Sequence, residues 1–296
     1  MQSIGTAYLR ARTCLAPQML PARLQEQRLD CWGDDATPAF EPLPDVLVMA
    51  STAKSGALLS AKIVAEVGAA CGACVASGER SRPGIPGPVE ELPAYDGQIV
   101  HAIINMRDWP AYAERQRAAL PGGNARVRCV TTIRDPLSRL RSLYTYARSG
   151  GEHWFRFESQ MMARLGNATS LQASLDVFWD EFGRDYLVQS HEYLTLNLAE
   201  GCVPVRMEAF ASGFDANVRA VLDAWAVKPA AAAVLVERLG RADFSRRTEQ
   251  ERKADPHLTA NKFPKALVAE MDRRLLADAA VGAMVEEQRR ALGYGP

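Results

Sequence analysis

The sequence predicts an α/β protein, with a parallel sheet of about five strands flanked by helices and a C-terminal third that is helical. Five short apolar segments have the length and composition of buried strands, at 45–50, 74–77, 98–105, 126–133 and 202–207. Helical patterns separate several of these segments. Strands that alternate with helices pair in parallel, so the order of elements predicts the sheet type.

The first strand is followed at once by a short loop, Ser51–Gly56, and then by a helix. The helix is predicted because apolar residues recur every three or four positions, as Leu58, Leu59, Ile63, Val64 and Val67. The loop therefore lies at the carboxyl end of a strand, the place where parallel sheets bind their ligands.

The middle of the chain carries the next three strands. The second is followed by a Pro- and Gly-rich stretch, 82–97, that is a predicted surface loop. The third precedes a helix that starts near Pro110. The fourth ends at Arg134-Asp135-Pro136, whose proline suits the first turn of the next helix.

The rest of the chain is predicted to be helical, apart from the fifth strand. The pattern is helical from 158 to 199, and helices run from about residue 211 to the end, broken by a polar loop at 243–262. We find no internal repeat or flexible linker after residue 44, so the sequence predicts one domain over 45–296.

Residues 1–44 are predicted to form an N-terminal arm. Its first 29 residues hold four arginines and one acidic residue, a bias shared with organelle transit peptides. An arm that lies on the domain is the interpretation we favour. The chain is predicted to be cytoplasmic or otherwise soluble, because no stretch approaches the roughly 20 apolar residues of a membrane span.

The composition excludes several classes. The 296 residues are 48% hydrophobic and 24% charged, which is typical of a packed core and excludes disordered and collagen-like chains. The 35 basic and 35 acidic residues cancel, so no global positive field favours nucleic acid. We expect no nucleic-acid partner. The oligomeric state does not follow from the sequence.

The six cysteines are too sparse for a disulfide scaffold in a chain of this length. One close pair, Cys71-Gly72-Ala73-Cys74, has redox spacing, but it follows an apolar helical stretch instead of opening a helix, which argues against a redox role. No second pair downstream completes a set of four zinc ligands.

The loop after the first strand is the first candidate site. Lysines are few in this chain, and Lys54 is one of them. Ser55 and Gly56 open the helix, so backbone N–H groups up to Ala57 and Leu58 and the positive end of the helix dipole face one anion together with the Lys54 ammonium. This pattern predicts a P-loop-like site for phosphate or sulfate.

The order of residues does not match a Walker ATP loop. That loop needs glycine before the lysine and a hydroxyl residue after it that holds magnesium. Here the order is Ala53-Lys54-Ser55-Gly56, with no glycine before the lysine and no separate acidic residue to hold a metal. We therefore expect a metal-independent site.

A second element follows the fourth strand. Arg134 stands at the strand end, and Ser142 comes eight residues later, about two helical turns along. Both can face one anion near the start of the helix. By itself this segment could also be an ordinary basic amphipathic helix.

The two elements together resemble the sulfotransferases that use 3′-phosphoadenosine-5′-phosphosulfate (PAPS), and the Arg-Asp-Pro order is more similar to the carbohydrate and glycolipid branch than to the cytosolic one. The resemblance implies that Lys54, Ser55, Gly56, Ala57 and Leu58 bind the 5′-phosphosulfate, and that Arg134 and Ser142 bind the 3′-phosphate. A third match is the late strand that leads to Glu208, although Met207 and Ala209 depart from the family pattern there.

The resemblance also implies the remaining site residues. Arg252 and Lys253 stand where the family has a C-terminal basic loop. His101, on the third strand, matches the family's histidine base, and a neutral imidazole can accept a proton at neutral pH. A core histidine is the alternative, and His153, His191 and His257 are the competing histidines.

The predicted activity is therefore sulfuryl transfer from PAPS to the hydroxyl of a carbohydrate or small-molecule acceptor, with Lys54 and His101 as the catalytic residues. Two alternatives stay open. One is a kinase or NTPase with a degenerate P-loop, and the other is a sulfotransferase-like binding module without activity. The acceptor itself does not follow from the sequence, because acceptor pockets are built from variable loops.

Overall fold

The computed structural model describes residues 29–32, 46–52, 54–80, 99–104, 127–148, 163–254 and 265–295, with the single residues 111, 114 and 118. The surface loop 82–97 and most of the N-terminal arm lie outside these residues. The chain divides into two compact units: a first of Met1–Ile133 and Leu196–Arg246, and a second of Arg134–Thr195 and Arg247–Pro296. The single domain over 45–296 stays a prediction.

The first unit contains a sheet of parallel strands, which confirms the α/β class and the parallel pairing. Its strands are β1 Val46–Ser51, β2 Cys74–Arg80, β3 Ile99–Ile104, β4 Val127–Ile133 and β5 Val203–Arg206. They lie in the order β2-β3-β1-β4-β5, and every pair is parallel. Each strand falls within one to three residues of its predicted bounds. β1 is central and completely buried, as its apolar run predicts.

Helices make up most of the rest of the described chain. They are α1 Ala57–Cys71, α2 Pro136–Arg148, α3 Leu171–Phe178, α4 Arg184–Ala199, α5 Met207–Ser212, α6 Phe214–Ala224, α7 Pro229–Leu239, α8 Glu249–Ala254, α9 Lys265–Ala277 and α10 Ala279–Ala291. The helical C-terminal third is confirmed. None of the described helices is long and apolar enough to cross a membrane.

The predicted polar loop 243–262 is wrong over its first half. A 3₁₀ turn, Phe244–Arg246, and α8 occupy it up to residue 254. Thr248 caps α8 through its hydroxyl, which accepts from Glu251 N–H at 3.2 Å, while the Glu251 carboxylate accepts from Thr248 N–H at 2.8 Å. This reciprocal pair is a capping box, which starts a helix in a sequence that is otherwise polar.

The core of the first unit packs one face of the sheet against helices α1, α6 and α7. Leu47, Met49 and Val130 from the sheet are completely buried there. The helices contribute apolar residues at helical spacing, among them Ile63, Val67, Val218, Val221, Trp225 and Leu235. The α1 residues belong to the apolar face that the sequence predicts for this helix, and α6 and α7 contribute apolar faces of the same kind.

Two disulfides lie in the first unit, and the sequence did not reveal them. Cys31 bonds to Cys71, and Cys129 bonds to Cys202. The first joins residues 29–32 to the end of α1, where Leu29 N–H also donates to the Ala70 carbonyl at 2.8 Å. Cys71 is therefore bonded to Cys31 and not to Cys74, so the close pair is not a redox disulfide.

The second unit is built on α2, α3, α4, α9 and α10. Tyr144 of α2 is completely buried, packs edge-on against Phe178 at 5.4 Å between ring centroids, and donates to Ser174 Oγ at 2.9 Å. Arg139 is also completely buried, and its guanidinium donates to Gln288 Oε1 at 3.0 Å. Burial lowers the pKa of Arg139.

Candidate anion-binding site

The strand order places a topological switch point between β1 and β4. After β1 the chain goes to β2 at one edge of the sheet, and after β4 it goes to β5 at the other edge. β1 and β4 are nonetheless neighbours, and Ser51 pairs with Thr132, so their carboxyl ends are level. Adjacent strands whose connections diverge leave a crevice beyond these ends, and α/β proteins bind ligands there.

The loop after β1 is braced by its own hydroxyl groups. Thr52 Oγ1 and Ser55 Oγ lie 2.7 Å apart and share a hydrogen bond, and Ser55 N–H donates to the Thr52 carbonyl at 3.0 Å. Both side chains are buried. Ser55 therefore differs from its prediction, because its amide and hydroxyl are engaged inside the loop and hold its shape.

Two residues of this loop have left-handed backbone conformations. Lys54 has a φ of 63° and Gly56 has a φ of 96°. Lysine rarely adopts this conformation, because an L side chain crowds the backbone there at a cost of roughly 1–2 kcal/mol. Turns of this kind direct successive N–H groups to one side and make concave anion sites.

The N-terminus of α1 has no side-chain cap. Gly56 is the N-cap residue and offers no side-chain acceptor, and Ser60 N–H donates to the Gly56 carbonyl at 2.9 Å in the first turn. The amides of residues 57–59 precede that first bond and have no partner within the helix. Ala57 is half-buried and Leu58 is 45% exposed, so this end of the helix opens toward solvent.

Met207, the first residue of α5, packs against Gly56. A Cβ added to Gly56 would lie 2.1 Å from Met207 Sδ, so no larger residue fits without a shift. The predicted fifth strand ends one residue early because Met207 already starts α5, and Glu208 stands in the first turn of that helix. The segment after β5 that carries the third resemblance to the sulfotransferases thus lies beside the candidate loop.

The segment after β4 begins the second unit. Arg134 is half-buried. The Asp135 carboxylate accepts from Ser138 N–H at 2.8 Å, as an N-cap does, and from Arg289 Nε at 2.7 Å. Burial acts to raise the pKa of Asp135, but the hydrogen bonds from Arg289 and Ser138 outweigh it, and the pKa is lowered.

Ser142 lies in the middle of α2 and is half-buried, and its carbonyl accepts from Thr145 Oγ1 at 3.1 Å. Lys54 belongs to the first unit, whereas Arg134 and Ser142 belong to the second. Sequence reasoning missed Thr52 and Asp135, although a hydroxyl three residues before Ser55 and an acid before Pro136 are both local signals of a brace and a cap.

His101 is the third of the six residues of β3 and pairs with Val48 of β1. It therefore lies three residues, or about 10 Å, before the carboxyl end of its strand. Of the competing histidines, His191 lies on α4, and burial together with the nearby charge of Arg139 lowers its pKa. His153 and His257 lie outside the described residues.

Arg252 and Lys253 lie on α8, in the second unit. The prediction placed them in a basic loop, whereas the backbone there is helical. Their side chains lie outside the described part of the structure.

Comparisons with protein-family models, with curated proteins and with solved structures found no match to this chain.

Proposed function

We propose that this protein is a PAPS-dependent sulfotransferase that moves a sulfuryl group to the hydroxyl of a carbohydrate or small-molecule acceptor. One observation carries the proposal: the loop Thr52–Gly56 follows a central strand at the switch point and leads into a helix N-terminus without a side-chain cap. Two residues of this loop, Lys54 and Gly56, have left-handed backbone conformations. This set of groups suits a compact anion with several acceptor oxygens.

The residues present fit the phosphosulfate end of the donor. The amides from Gly56 to Leu58 are the proposed donors to its oxygens, and Lys54 adds a positive charge. Ser55 is not among them, since its polar groups bind Thr52. When bound, PAPS supplies a sulfuryl group that is bonded to an oxygen of the 5′-phosphate, and this phosphate is the leaving group.

In the proposed reaction His101 accepts the proton of the acceptor hydroxyl as its oxygen forms a bond to sulfur. The bond between sulfur and the bridging oxygen breaks, and its electron pair stays on the 5′-phosphate of the departing 3′-phosphoadenosine-5′-phosphate. Lys54 and the α1 amides stabilise the charge that builds on the bridging oxygen. No metal is part of this scheme.

Arg134 and Ser142 are proposed to bind the 3′-phosphate, and Arg252 and Lys253 are proposed to close over the nucleotide. An arginine forms paired hydrogen bonds to phosphate, so it can distinguish this nucleotide from AMP and ATP, which lack the 3′-phosphate. The arginine requires no magnesium.

The first test is calorimetric binding of 3′-phosphoadenosine-5′-phosphate, AMP and ATP, each without and with magnesium. We expect metal-independent binding that demands the 3′-phosphate, weakened at least tenfold by Lys54→Ala or Arg134→Ala. Lys62→Ala is the matched control, because this lysine is exposed on α1 and has no role in the proposed site, and we expect no change.

The outcomes separate the alternatives. Magnesium-dependent preference for ATP indicates a kinase or NTPase and overturns the proposal, as does the absence of binding. Binding without turnover on a broad acceptor panel indicates an inactive binding module. His101→Ala is expected to lower turnover while nucleotide affinity survives, and loss of affinity in this variant contradicts the role of His101 as base.

A further inference from the structure

A cavity of about 540 Å³ lies within the second unit, apart from all the residues assigned above. It opens between α3 and the α9–α10 pair, and it is lined by Gln172, Leu175, Asp176, Trp179, Arg273 and Arg274, among others. Small-molecule sites in proteins have volumes of about 300–1,000 Å³, so this cavity has the size of a binding site.

The spacing of the α3 residues explains why they share the cavity. Gln172, Asp176 and Trp179 follow one another at intervals of four and three residues, so they lie on one helical face. Trp179 begins a π-helical turn, Trp179–Gly183, that continues α3. π-turns inside helices occur frequently at functional sites. Trp179 is half-buried, so part of its indole is available at the cavity.

The polar wall of the cavity is held by a chain of hydrogen bonds. Arg274 donates to Glu270 Oε1 at 2.5 Å and to Gln172 Oε1 at 2.9 Å. Gln172 in turn donates to Asp176 Oδ1 at 2.6 Å. These bonds orient three planar side chains before any ligand arrives, which reduces the entropy lost on binding.

The charges of the cavity cancel. Of the described residues that line it, Arg273 and Arg274 are basic and Asp176 and Asp278 are acidic. Arg273 and Arg274 both bind Glu270, and their hydrogen bonds lower the pKa of that carboxyl to about 2. Glu270 therefore stays ionised at ordinary pH, and its single negative charge is shared between the two guanidinium groups. This wall does not favour a phosphate, a sulfate or a cation.

The floor beneath the polar wall is apolar, because Leu175, Leu275 and Val281 line it and are buried. The cavity thus joins an indole and an apolar floor to planar donors and acceptors without net charge. A ligand that matches has many hydroxyl groups and also an apolar C–H face that can pack on an aromatic ring. Neutral sugars have both properties.

We infer that this cavity is a binding site for a neutral saccharide, with Trp179 as the packing surface for one sugar ring and Gln172, Asp176 and Arg274 as partners of its hydroxyl groups. The site does not depend on the proposed sulfuryl transfer. It can bind saccharide whether or not the chain binds a nucleotide.

The test is titration of the full chain with neutral disaccharides and tetrasaccharides built from glucose, galactose and their N-acetylamino forms, without any nucleotide. Saturation-transfer NMR and calorimetry are the readouts. We expect saturable binding of at least one saccharide, weakened at least tenfold by Trp179→Ala and less by Trp179→Phe, which keeps an aromatic ring. Gln172→Leu is expected to weaken it about fivefold.

Arg164→Ala is the control for these variants, because it removes an exposed side chain of the same unit outside the cavity. Arg164 pairs with one carboxylate, Glu181, and neither residue lines the cavity. The control is expected to leave affinity unchanged. Thermal unfolding of each variant shows whether it is folded. If Trp179→Ala does not fold, the affinity of Trp179→Phe is the test.

Three results overturn the inference: no saturable binding of any neutral saccharide, equal affinity in the wild type and the Trp179 variants, or preference for a sulfated disaccharide over its neutral parent. Nucleotide binding measured on the same sample distinguishes this failure from failure of the proposed function. A chain that binds 3′-phosphoadenosine-5′-phosphate but no saccharide loses only the saccharide site.

Discussion

Helices α1 and α2 follow neighbouring parallel strands, yet their N-termini differ in capping. α1 starts at a left-handed glycine and has no side-chain cap. α2 starts after Asp135, whose carboxylate accepts both an amide of the first turn and the Arg289 guanidinium. The chain thus supplies its own anion to α2. The N-terminus of α1 has no such side-chain cap, and this difference is the reason that the proposed anion site lies at α1.

The largest effect is expected from Gly56→Ala. The substitution adds a side chain at a positive φ and drives it into Met207, so we expect unfolding free energy to fall by roughly 2–5 kcal/mol. Urea denaturation measures this. Gly201→Ala is the control, because Gly201 has a φ of 84° and open space around it, and it should cost only about 1–2 kcal/mol. Equal losses in the two variants contradict a packing role for Met207.

The second prediction removes the anion that completes α2. Asp135→Ala loses the cap and the pair with Arg289, and we expect a loss of about 1–3 kcal/mol at pH 7. Asp135→Asn keeps a capping oxygen and should lose less. Asp278→Ala, which removes the cap of α10, is the matched control with an expected loss of about 1 kcal/mol. Chemical denaturation of the three variants gives the comparison.

The same carboxylate predicts a pH dependence. The folded pKa of Asp135 lies below its unfolded value, so its stabilisation is fully present above about pH 4 and is lost as pH falls through the lower folded pKa. Thermal unfolding between pH 2 and pH 6 measures this. The advantage of the wild type over Asp135→Asn should shrink as the pH falls below about 4, and an advantage that stays constant over this range contradicts the assignment.

The third prediction separates backbone strain from charge at Lys54. Lys54→Gly relieves the left-handed conformation, and the flexibility of glycine in the unfolded chain offsets part of the gain, so we expect stability to rise by about 0–1 kcal/mol. Nucleotide affinity should fall at least tenfold. Ala226→Gly is the control, because Ala226 also has a positive φ, of 56°, and nucleotide affinity should not change there. Unchanged affinity in Lys54→Gly contradicts the anion site.

The smallest effect is expected at the open end of α1. Leu58→Glu places a negative charge in the first turn of the helix, where the dipole favours it by about 0.3–1 kcal/mol. The same charge should repel a bound phosphate, so stability rises slightly while nucleotide affinity falls. Leu58→Gln serves as the neutral control in thermal unfolding and calorimetry. Higher nucleotide affinity in Leu58→Glu contradicts an anion site at this end.

Local patterns predicted the strands closely, and the exceptions have physical causes. β1 and α1 follow from an apolar run and a helical stripe, and both are present. The fifth strand ends at Arg206 because Met207 turns into α5 and packs on Gly56, a contact between residues distant in the chain. Helix α8 was missed, although the Thr248 and Glu251 capping box was visible as a local signal.

In the candidate site, too, some features follow from local sequence and others from tertiary contacts. The sequence located Lys54 and Gly56, because a rare lysine beside a glycine after a strand is a local pattern. It misassigned the Ser55 amide, because whether that N–H faces outward or donates to Thr52 depends on the turn that the loop adopts. The cavity around Trp179 was not predicted at all, since α3 and the α9–α10 pair, about a hundred residues apart in the chain, build it.

By itself, then, the sequence determined which segments are strands and helices and where a lysine-bearing loop meets a helix. These depend on interactions within a few residues of one another. Only the tertiary structure decided which cysteines pair, which carboxylate caps α2 against Arg289, and which strands lie at the switch point. Each of these joins segments that are distant in the chain, and local periodicity carries no information about such partners.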